Sequence, residues 1–391
     1  MNYFISQDKK DCCGCGACAL ACPKQCIEYR KDECGIGYPV IDRDRCIDCK
    51  RCEAVCPMIH ADDRKNPVAR QTYALTLTDD AERMASTSGG AFRAIVDAYA
   101  DDDTVIFGVE LSPDLQARHV AAIGKTEARK FSKSKYVKSD TGNTFAEVKA
   151  ALQDGKRVLY SGTPCQIAGL KGYLGKDYDN LLTVDLICHG TPGQGLFDSY
   201  IKALQHKYRA PITTLRMREK EDGGQFATTI QVDHKNRFIN PVSDLWMRAF
   251  LKWIMLMDSC GACPFADSRR PADLTIGDFW GLEKFDRGWD FSKGVSVVLI
   301  NSEKGKACFD KIQNAKIKEF SLEQAQKENG NLVHCSAIHP KHAEFKALAV
   351  KDFKKAVNTY CPIPLKSKIK IGVKKILPIS AIRALKKLLH R

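Results

Sequence analysis

The sequence predicts an α+β protein in which a small cysteine-rich module precedes an α/β body. Cysteines crowd the first sixty residues, and strand-like and helix-like runs alternate from about residue 71 onward. A polar, charged stretch over residues 61–70 reads as the linker between them. The predicted domains are residues 1–62, 71–153, 154–350 and 351–391.

The composition is that of a globular protein. Of the 391 residues, 44% are apolar and 28% are charged, which excludes a collagen-like, low-complexity or wholly disordered chain. No apolar run reaches the roughly 18 residues of a membrane span, and the first eleven residues lack the apolar stretch of a secretory signal. We therefore expect a cytoplasmic protein.

The net charge of +14 is concentrated at the C-terminus. Residues 366–391 contain nine lysines and arginines and no acidic residue. The basic composition therefore describes a tail rather than a nucleic-acid-binding surface, and no nucleic acid partner is expected. Ile369, Val373 and Ile376 begin an apolar face, which predicts a basic amphipathic helix for peripheral contact with the inner membrane face or for docking to an acidic partner. A solvated, frayed terminus is the alternative.

Eighteen cysteines in a reducing compartment indicate metal binding rather than a disulfide framework. The spacing C-x-x-C-x-x-C-x-x-x-C-P occurs twice, and it is the run of two-cluster ferredoxins. Zinc is the alternative because C-x-x-C also suits zinc, but three cysteines at successive two-residue spacings and a fourth followed by proline favour 4Fe–4S clusters. The two copies comprise Cys12, Cys15, Cys18 and Cys22, and then Cys46, Cys49, Cys52 and Cys56.

In such ferredoxins the fourth cysteine of each motif binds the other cluster. The first cluster is therefore predicted on the first trio with Cys56, and the second cluster on the second trio with Cys22. The prolines that follow these two cysteines end each ligand loop by fixing φ. Three cysteines fall outside the pattern and are interpreted as bystanders: Cys13, Cys26 and Cys34.

The body is predicted to alternate between strands and helices. Strands are predicted over residues 73–78, 104–109, 157–161, 181–188, 212–218, 227–232, 273–278 and 295–300. Helices are predicted over residues 90–99, 144–153, 195–208, 245–257 and 304–314, with another starting at residue 165. An Asp-Gly-Gly turn at residues 222–224 predicts a hairpin.

Four cysteines of the body form a second constellation. Cys165 follows Pro164 at a strand-to-helix turn, where the helix dipole favours a thiolate. Cys188 ends the next strand, and consecutive parallel strands end at one edge of a sheet. Cys260 and Cys263 have a metal-like spacing. The sequence therefore predicts a third cluster or metal site, with separate buried cysteines as the alternative.

A loop of small residues opens the predicted helix at residue 90. Such a loop exposes backbone N–H groups and can cradle a phosphate. A capped helix start with glycines for packing is the alternative. The loop comprises Ser86, Thr87, Ser88, Gly89 and Gly90.

Several further runs are specific in type and order. They are Ser86–Phe92, Lys135-Tyr136-Val137, Gly162-Thr163-Pro164-Cys165-Gln166, Cys188-His189-Gly190 and Gly277-Asp278-Phe279-Trp280-Gly281. With the cysteine motifs, they make residues 10–345 similar to the coenzyme F420 hydrogenase/dehydrogenase beta-subunit family with a fused ferredoxin module.

The resemblance implies a flavin, FAD or alternatively FMN, beside a 4Fe–4S cluster on the four body cysteines. The expected fold is thus a bacterial-type ferredoxin module followed by an α/β flavoprotein body. Hydride or electron exchange with a deazaflavin coenzyme or another organic substrate is implied, and bacterial relatives often accompany surface-polysaccharide genes. An electron-transfer subunit without its own substrate is the alternative function. The expected partners are a redox protein, such as a ferredoxin-like donor, and a small-molecule substrate.

The same resemblance assigns candidate site residues. The flavin would contact the loop of residues 86–90 together with Lys133, Thr163 and Gln166. The candidate catalytic residues are His189 as proton donor, Lys135 as a cation for a phosphate or the reduced flavin, and Asp278 as a flavin or substrate contact. A structural histidine, solvated lysines and a strand-end cap are the respective alternatives.

Overall fold

The computed structural model describes residues 1–69, 71–220 and 226–364. It combines helices and strands in a small N-terminal module and a larger α/β body, so the predicted α+β class is confirmed. The predicted turn at residues 222–224 and the predicted tail helix lie outside the described residues. Within the described ranges, no helix has the length and apolar character needed to cross a membrane.

Short elements frame the cysteine loops of the N-terminal module. They are α1 (Tyr3–Ser6), α2 (Ala17–Ala21), β1 (Ile27–Lys31), β2 (Gly37–Ile41) and α3 (Arg51–Ala54). Strands β1 and β2 form an antiparallel hairpin. Gly16 adopts a φ of 85° immediately before α2, a conformation that glycine adopts without strain. The first ligand loop can therefore turn sharply into a helix.

The body contains eleven strands within the described residues. They are β3 (Gln71–Leu77), β4 (Val105–Leu111), β5 (Ala117–Ile123), β6 (Val158–Gly162), β7 (Leu181–Leu186), β8 (Thr214–Glu219), β9 (Ala227–Val232), β10 (Lys235–Ile239), β11 (Leu274–Asp278), β12 (Ser296–Ile300) and β13 (Ala315–Phe320). The helices of the body are α4 (Asp80–Ala85), α5 (Ala91–Tyr99), α6 (Gly124–Glu127), α7 (Thr144–Gln153), α8 (Pro164–Leu174), α9 (Gln194–Tyr208), α10 (Leu245–Phe250), α11 (Glu303–Phe309), α12 (Leu322–Gln326), α13 (His342–Ala349) and α14 (Phe353–Tyr360).

Eight strands form one mixed sheet in the order β13-β3-β12-β11-β7-β6-β4-β5. Its centre, β11-β7-β6-β4, is parallel, and both flanks are antiparallel. Helices α5 and α11 cover one face, and α7 and α8 cover the other, which explains why the central strands are apolar on both sides. Strands from both sides of the boundary predicted at residue 153 pair in this sheet, so residues 71–153 and 154–350 build one body.

A second core lies between a three-stranded sheet, β10-β9-β8, and helices α9, α10, α13 and α14. At its centre Trp246 is fully buried against Phe197, Tyr200 and Phe353. Because Phe353 belongs to α14, the body continues past the boundary predicted at residue 350.

The helix predicted over residues 245–257 is too long. Helix α10 ends at Phe250, Leu251 is exposed, and Trp253 has a φ of 51°. Residues 254–257 are nevertheless buried in irregular backbone. A continuous apolar run shows burial without fixing the backbone conformation, which is why the prediction was wrong here.

Glycines allow the module to lie directly on the body. A Cβ at Gly172 of α8 would lie 2.4 Å from the Val55 carbonyl oxygen, and one at Gly169 would lie 2.9 Å from the Cys15 Sγ. The Gly195 N–H donates to the Cys34 carbonyl over 2.8 Å. The first ligand loop is therefore packed against α8 rather than separated from the body by the linker.

Candidate functional site

Four thiols of the module lie near one another and form the first module set: Cys12, Cys15, Cys18 and Cys56. Burial raises the pKa of the Cys12 thiol to about 12, and the nearby Cys15 and Cys56 thiols add to that rise. Burial likewise raises the pKa of Cys18, with Cys15, Cys12 and Cys56 contributing. Cys56 thus lies beside the trio of the other motif, which is the arrangement that crossed ligation requires.

The second module set is Cys22, Cys46, Cys49 and Cys52, which line one cavity of about 240 Å³. Cys26 lines the same cavity, and its Sγ lies 3.4 Å from that of Cys22. The interpretation of Cys26 as a bystander therefore does not match its position. Cys49 is exposed, so this set lies at the surface of the module.

The donor chemistry of both sets fits 4Fe–4S clusters, which cysteine thiolates hold in groups of four. In residues 1–69, 71–220 and 226–364, no group of three or more His, Cys, Asp or Glu side chains is arranged to hold a single metal ion. The thiols of the second module set line a cavity of about 240 Å³, which has room for a group larger than one ion.

The body cysteine set comprises Cys165, Cys188, Cys260 and Cys263, and all four line one small cavity of about 30 Å³. Cys165 is the second residue of α8, where Thr163 and Gln166 form a capping box. Cys188 follows β7, the parallel neighbour of β6, so both thiols lie at the same sheet edge as the sequence led us to expect. Cys260 lies within the short helical turn over residues 258–262, and Cys263 directly follows that turn.

Cys13 belongs to the module and lies between the first module set and the body cysteine set. It lines the same small cavity, and its thiol hydrogen-bonds to Cys15 and Cys165. The hydrogen bond from Cys13 and the nearby Lys138 ammonium lower the pKa of Cys165 to about 5 against the opposing effect of burial. A residue interpreted as a bystander thus connects two cysteine sets.

The central cavity, of about 250 Å³, lies beside the body cysteine set. Its walls come from the helix start at residues 86–93, the segment 131–139, the segment 186–191 and the end of β11. Apart from Gly89, every predicted flavin-binding and catalytic residue lines it: Ser86, Thr87, Ser88, Gly90, Lys133, Lys135, Thr163, Gln166, His189 and Asp278. Cys188 lines both cavities.

Hydrogen bonds to neighbouring segments hold the loop at residues 86–90. The Lys220 ammonium donates to the carbonyls of Arg83 and Ser88, each over 2.5 Å. The Ser88 hydroxyl donates to the Val295 carbonyl over 2.7 Å. A Cβ at Gly89 would lie 2.0 Å from the Leu75 carbonyl oxygen, so this glycine is required where the loop packs on β3.

The two candidate lysines have different surroundings. Lys133 lies 3.2 Å from the Glu219 carboxylate and donates to the Met84 carbonyl. Lys135 donates to the carbonyls of Phe131 and Ser132 over 3.1 and 3.0 Å, and burial lowers its pKa to about 7. Neither is a solvated surface lysine.

Thr163 and Gln166 take part in an internal network as well as lining the cavity. The Thr163 N–H donates to the Gln166 Oε1 over 3.0 Å, and the Gln166 Nε2 donates to the Ser139 hydroxyl over 3.0 Å. Ser139 in turn contacts the buried His119 ring. This network fixes the turn that carries Cys165.

Asp278 forms an ion pair with a residue that the sequence analysis missed. The Arg218 Nη2 lies 2.7 Å from the Asp278 Oδ1, and the Arg218 Nη1 donates to the Tyr136 hydroxyl over 3.1 Å. Arg218 has a φ of 62° at a bulge in β8 and stacks on the Phe226 ring at 4.3 Å. His189 lies near this pair, and burial lowers its pKa despite the Asp278 charge. The neutral imidazole also hydrogen-bonds to Asn331.

Lys138, Lys220 and Arg218 are the site residues that sequence reasoning did not single out. Lys138 occurs in the same run as the predicted Lys133 and Lys135. Its place in that run could have marked it as a further site residue. Lys220 and Arg218 occupy alternate positions at the end of β8, where no pattern separates them from solvent-facing charges.

Comparisons with known proteins find matches for both parts of the chain. Residues 155–326 match the family model for the C terminus of the beta subunit of coenzyme F420 hydrogenase/dehydrogenase. Residues 11–59 match a 4Fe–4S dicluster domain, and residues 38–90 match a second model of that type.

Individual known proteins are also similar to this chain. The chain is 26% identical over 350 residues to the uncharacterized protein MJ1349 of Methanocaldococcus jannaschii, covering 77% of this chain and 86% of that protein. It is 42% identical over 57 residues to the uncharacterized ferredoxin MJ0722 of the same organism, covering 15% of this chain and 73% of that protein. A chain of the F420-reducing [NiFe] hydrogenase complex from Methanosarcina barkeri, solved with xenon, aligns with a TM-score of 0.42 and 15% identity over 77% of this chain and 97% of that one. As its motifs predicted, the chain therefore joins a 4Fe–4S dicluster ferredoxin module to a domain of the type found at the C terminus of the coenzyme F420 hydrogenase/dehydrogenase beta subunit.

Proposed function

We propose that this protein is an iron–sulfur flavoprotein oxidoreductase. Electrons would pass between the two module clusters, a third cluster on the body cysteine set and a flavin in the central cavity. The flavin would exchange a hydride or electrons with a deazaflavin coenzyme or another organic substrate. One observation carries the proposal: the segment from Cys188 to Thr191 lines both the central cavity and the cavity of the body cysteine set.

The sites form an uninterrupted series. Cys26 and Cys46 belong to the outer cavity of the module, the first module set lies against α8, and Cys13 links it to Cys165. Cys18 of the first module set packs in one apolar cluster with Cys22, Cys46 and Cys52 of the second set, which supports direct electron transfer between the two. The exposed position of Cys49 makes the second module set the entry or exit for a partner protein.

The charge and shape of the central cavity suit an anionic cofactor. Arg93, Lys133, Lys135 and Lys138 line it against one carboxylate, Asp278. The N-terminus of the nine-residue helix α5 also opens here, with Gly90 as N-cap and no side-chain cap. N–H groups at a helix start favour a phosphate, and the cations would balance a pyrophosphate.

A bound flavin converts one-electron transfer into two-electron hydride chemistry, while the protein orients it and adjusts its electronics. The residues around it would hold the proton. Burial lowers the pKa of His189, so its imidazole can accept a proton at the unprotonated ring nitrogen and then release the proton of the other nitrogen. Arg218 holds the Asp278 carboxylate in place through their ion pair.

The test compares the native chain with a variant whose central cavity is filled. Ser134 lines that cavity and hydrogen-bonds to Thr87, so Ser134→Trp should abolish bound flavin while leaving the iron content intact. Ser243→Trp, on an exposed loop outside the cavity, is the matched control. Chains are purified without oxygen, supplied with FAD or FMN, and assayed for flavin and iron. Equal flavin in both variants, or none in the native chain, would contradict the proposal.

A second experiment distinguishes the proposed oxidoreductase from an electron-transfer subunit that has no substrate of its own. Flavin-loaded native chain is mixed with a reduced deazaflavin coenzyme, and the visible spectrum is followed. Reduction of flavin and clusters supports direct exchange with the deazaflavin. Reduction by dithionite but not by the deazaflavin would instead favour a different organic substrate or the subunit alternative, whichever a screen of oxidised and reduced substrates then supports.

A further inference from the structure

Lys138 occupies the junction of three cavities. Its side chain lines the central cavity, the cavity of the body cysteine set, and a cleft of about 360 Å³ between the module and the body. No other lysine or arginine among the residues that line these three cavities is common to all of them.

The backbone of Lys138 is tied to the cysteine segment of the body. Its N–H donates to the Pro192 carbonyl over 2.8 Å, and Pro192 follows the segment that carries Cys188. The next residue, Ser139, is buried and bonded to Gln166 at the start of α8. Lys138 is therefore held between the two strand-to-helix turns that supply Cys165 and Cys188.

Several thiols lie near the ammonium group of Lys138. Its charge is close enough to interact with the thiols of Cys165, Cys13, Cys15 and Cys260. Cys15 belongs to the first module set, and Cys165 and Cys260 belong to the body cysteine set. Cys13 also links Cys15 to Cys165, so this one cation lies near both sets.

We propose that Lys138 is a positioning residue for electron transfer, which sets the reduction potentials of the first module cluster and the body cluster together. This inference rests on the proposed function. Reduction adds one negative charge to a cluster, and a neighbouring cation stabilises that added charge in a water-poor surrounding. Lys138 therefore keeps both clusters reducible, so that they can exchange electrons with a cofactor in the central cavity. The cavity of the second module set is not lined by Lys138.

The experiment replaces Lys138 in the full chain with its clusters loaded, and measures midpoint potentials by anaerobic titration with electron paramagnetic resonance. In Lys138→Met, two of the three midpoints should become more negative. At the native midpoint, the ratio of reduced to oxidised cluster should fall about tenfold, which corresponds to about 59 mV for one electron. Lys138→Arg keeps the positive charge, so both midpoints in this variant should stay close to their native values. The third midpoint should stay unchanged.

Lys31→Met is the matched control, because Lys31 lines the same cleft but is exposed. Iron content is measured for every variant, and Lys138→Gln replaces the methionine variant if that one retains less iron. Unchanged midpoints in an iron-replete Lys138 variant, or equal shifts in Lys31→Met, would overturn the inference. The first module cluster reports on Lys138 even if the central cavity binds no flavin, so failure of the proposed function and failure of this inference remain distinguishable.

Discussion

Arg270 and Asp185 form an ion pair that is almost completely buried, with the Arg270 Nη2 3.2 Å from the Asp185 Oδ1. Arg270 also donates to the carbonyls of Leu186 and Phe265 over 2.6 and 2.9 Å. Asp185 lies on β7 just before Cys188, and Arg270 follows Cys263 in the chain. The pair therefore joins the two segments that supply three of the four body cysteines.

Breaking this pair should unfold the cysteine site. Arg270→Met leaves the Asp185 carboxylate buried without its cation, and such a loss costs about 3–5 kcal/mol. Denaturant unfolding of the full chain measures it. Arg269→Met is the control, because Arg269 pairs with Asp62 at the surface over 2.8 Å and should cost less than about 1 kcal/mol. Similar losses in both variants would show that the buried pair contributes nothing specific.

Three clusters require about twelve iron atoms per chain. Cys165→Ser should lower the content to about eight, because the body cysteine set loses one of its four thiolates. Cys308→Ser is the control, since Cys308 is buried on α11 and its thiol faces the Ile95 carbonyl. Iron and sulfide analysis of reconstituted chains decides the matter. About eight iron in the native chain, unchanged in Cys165→Ser, would exclude the third cluster.

The close approach of the module to α8 depends on Gly172. An alanine there would place its Cβ 2.4 Å from the Val55 carbonyl oxygen, and overpacking of this kind typically costs about 1–3 kcal/mol. We expect Gly172→Ala to loosen the module and to speed proteolytic cleavage within residues 61–70. Lys171→Ala on the same helix is the control. Identical cleavage rates for the two variants would mean that the module docks without this contact.

The sequence predicted those parts of the site that depend on local spacing. The ligand loops of the module repeat a short motif, and the edge shared by Cys165 and Cys188 follows from two consecutive parallel strands. The ion pair between Arg218 and Asp278 was not predictable in this way. It joins residues sixty positions apart and depends on a bulge in β8 that turns Arg218 inward.

Glycine-rich loops show a further limit of sequence reasoning. The run at residues 86–90 predicted a phosphate cradle, and its serines and Gly90 do line the central cavity. Gly89 does not line it, because the space for its Cβ is filled by the Leu75 carbonyl. A small residue that lets a ligand approach and one that lets a strand approach look the same in a sequence.

His119 should make the stability of the body depend on pH. Its Nε2 lies 3.0 Å from the Ser161 carbonyl oxygen and its Nδ1 3.0 Å from the Ser139 hydroxyl. Burial lowers its pKa to about 4, whereas an unfolded histidine titrates near 6.5. Between those two pKa values His119 binds a proton in the unfolded chain but not in the folded chain. The free energy of unfolding therefore falls as the pH falls from about 6.5 to 4, by up to about 3 kcal/mol. Unfolding free energies of the native chain and His119→Gln, measured across that range, should converge toward the lower pH, with exposed His206→Gln as the control for loss of an imidazole. A constant difference between the native chain and His119→Gln would show that the buried ring accepts a proton as readily as an unfolded one.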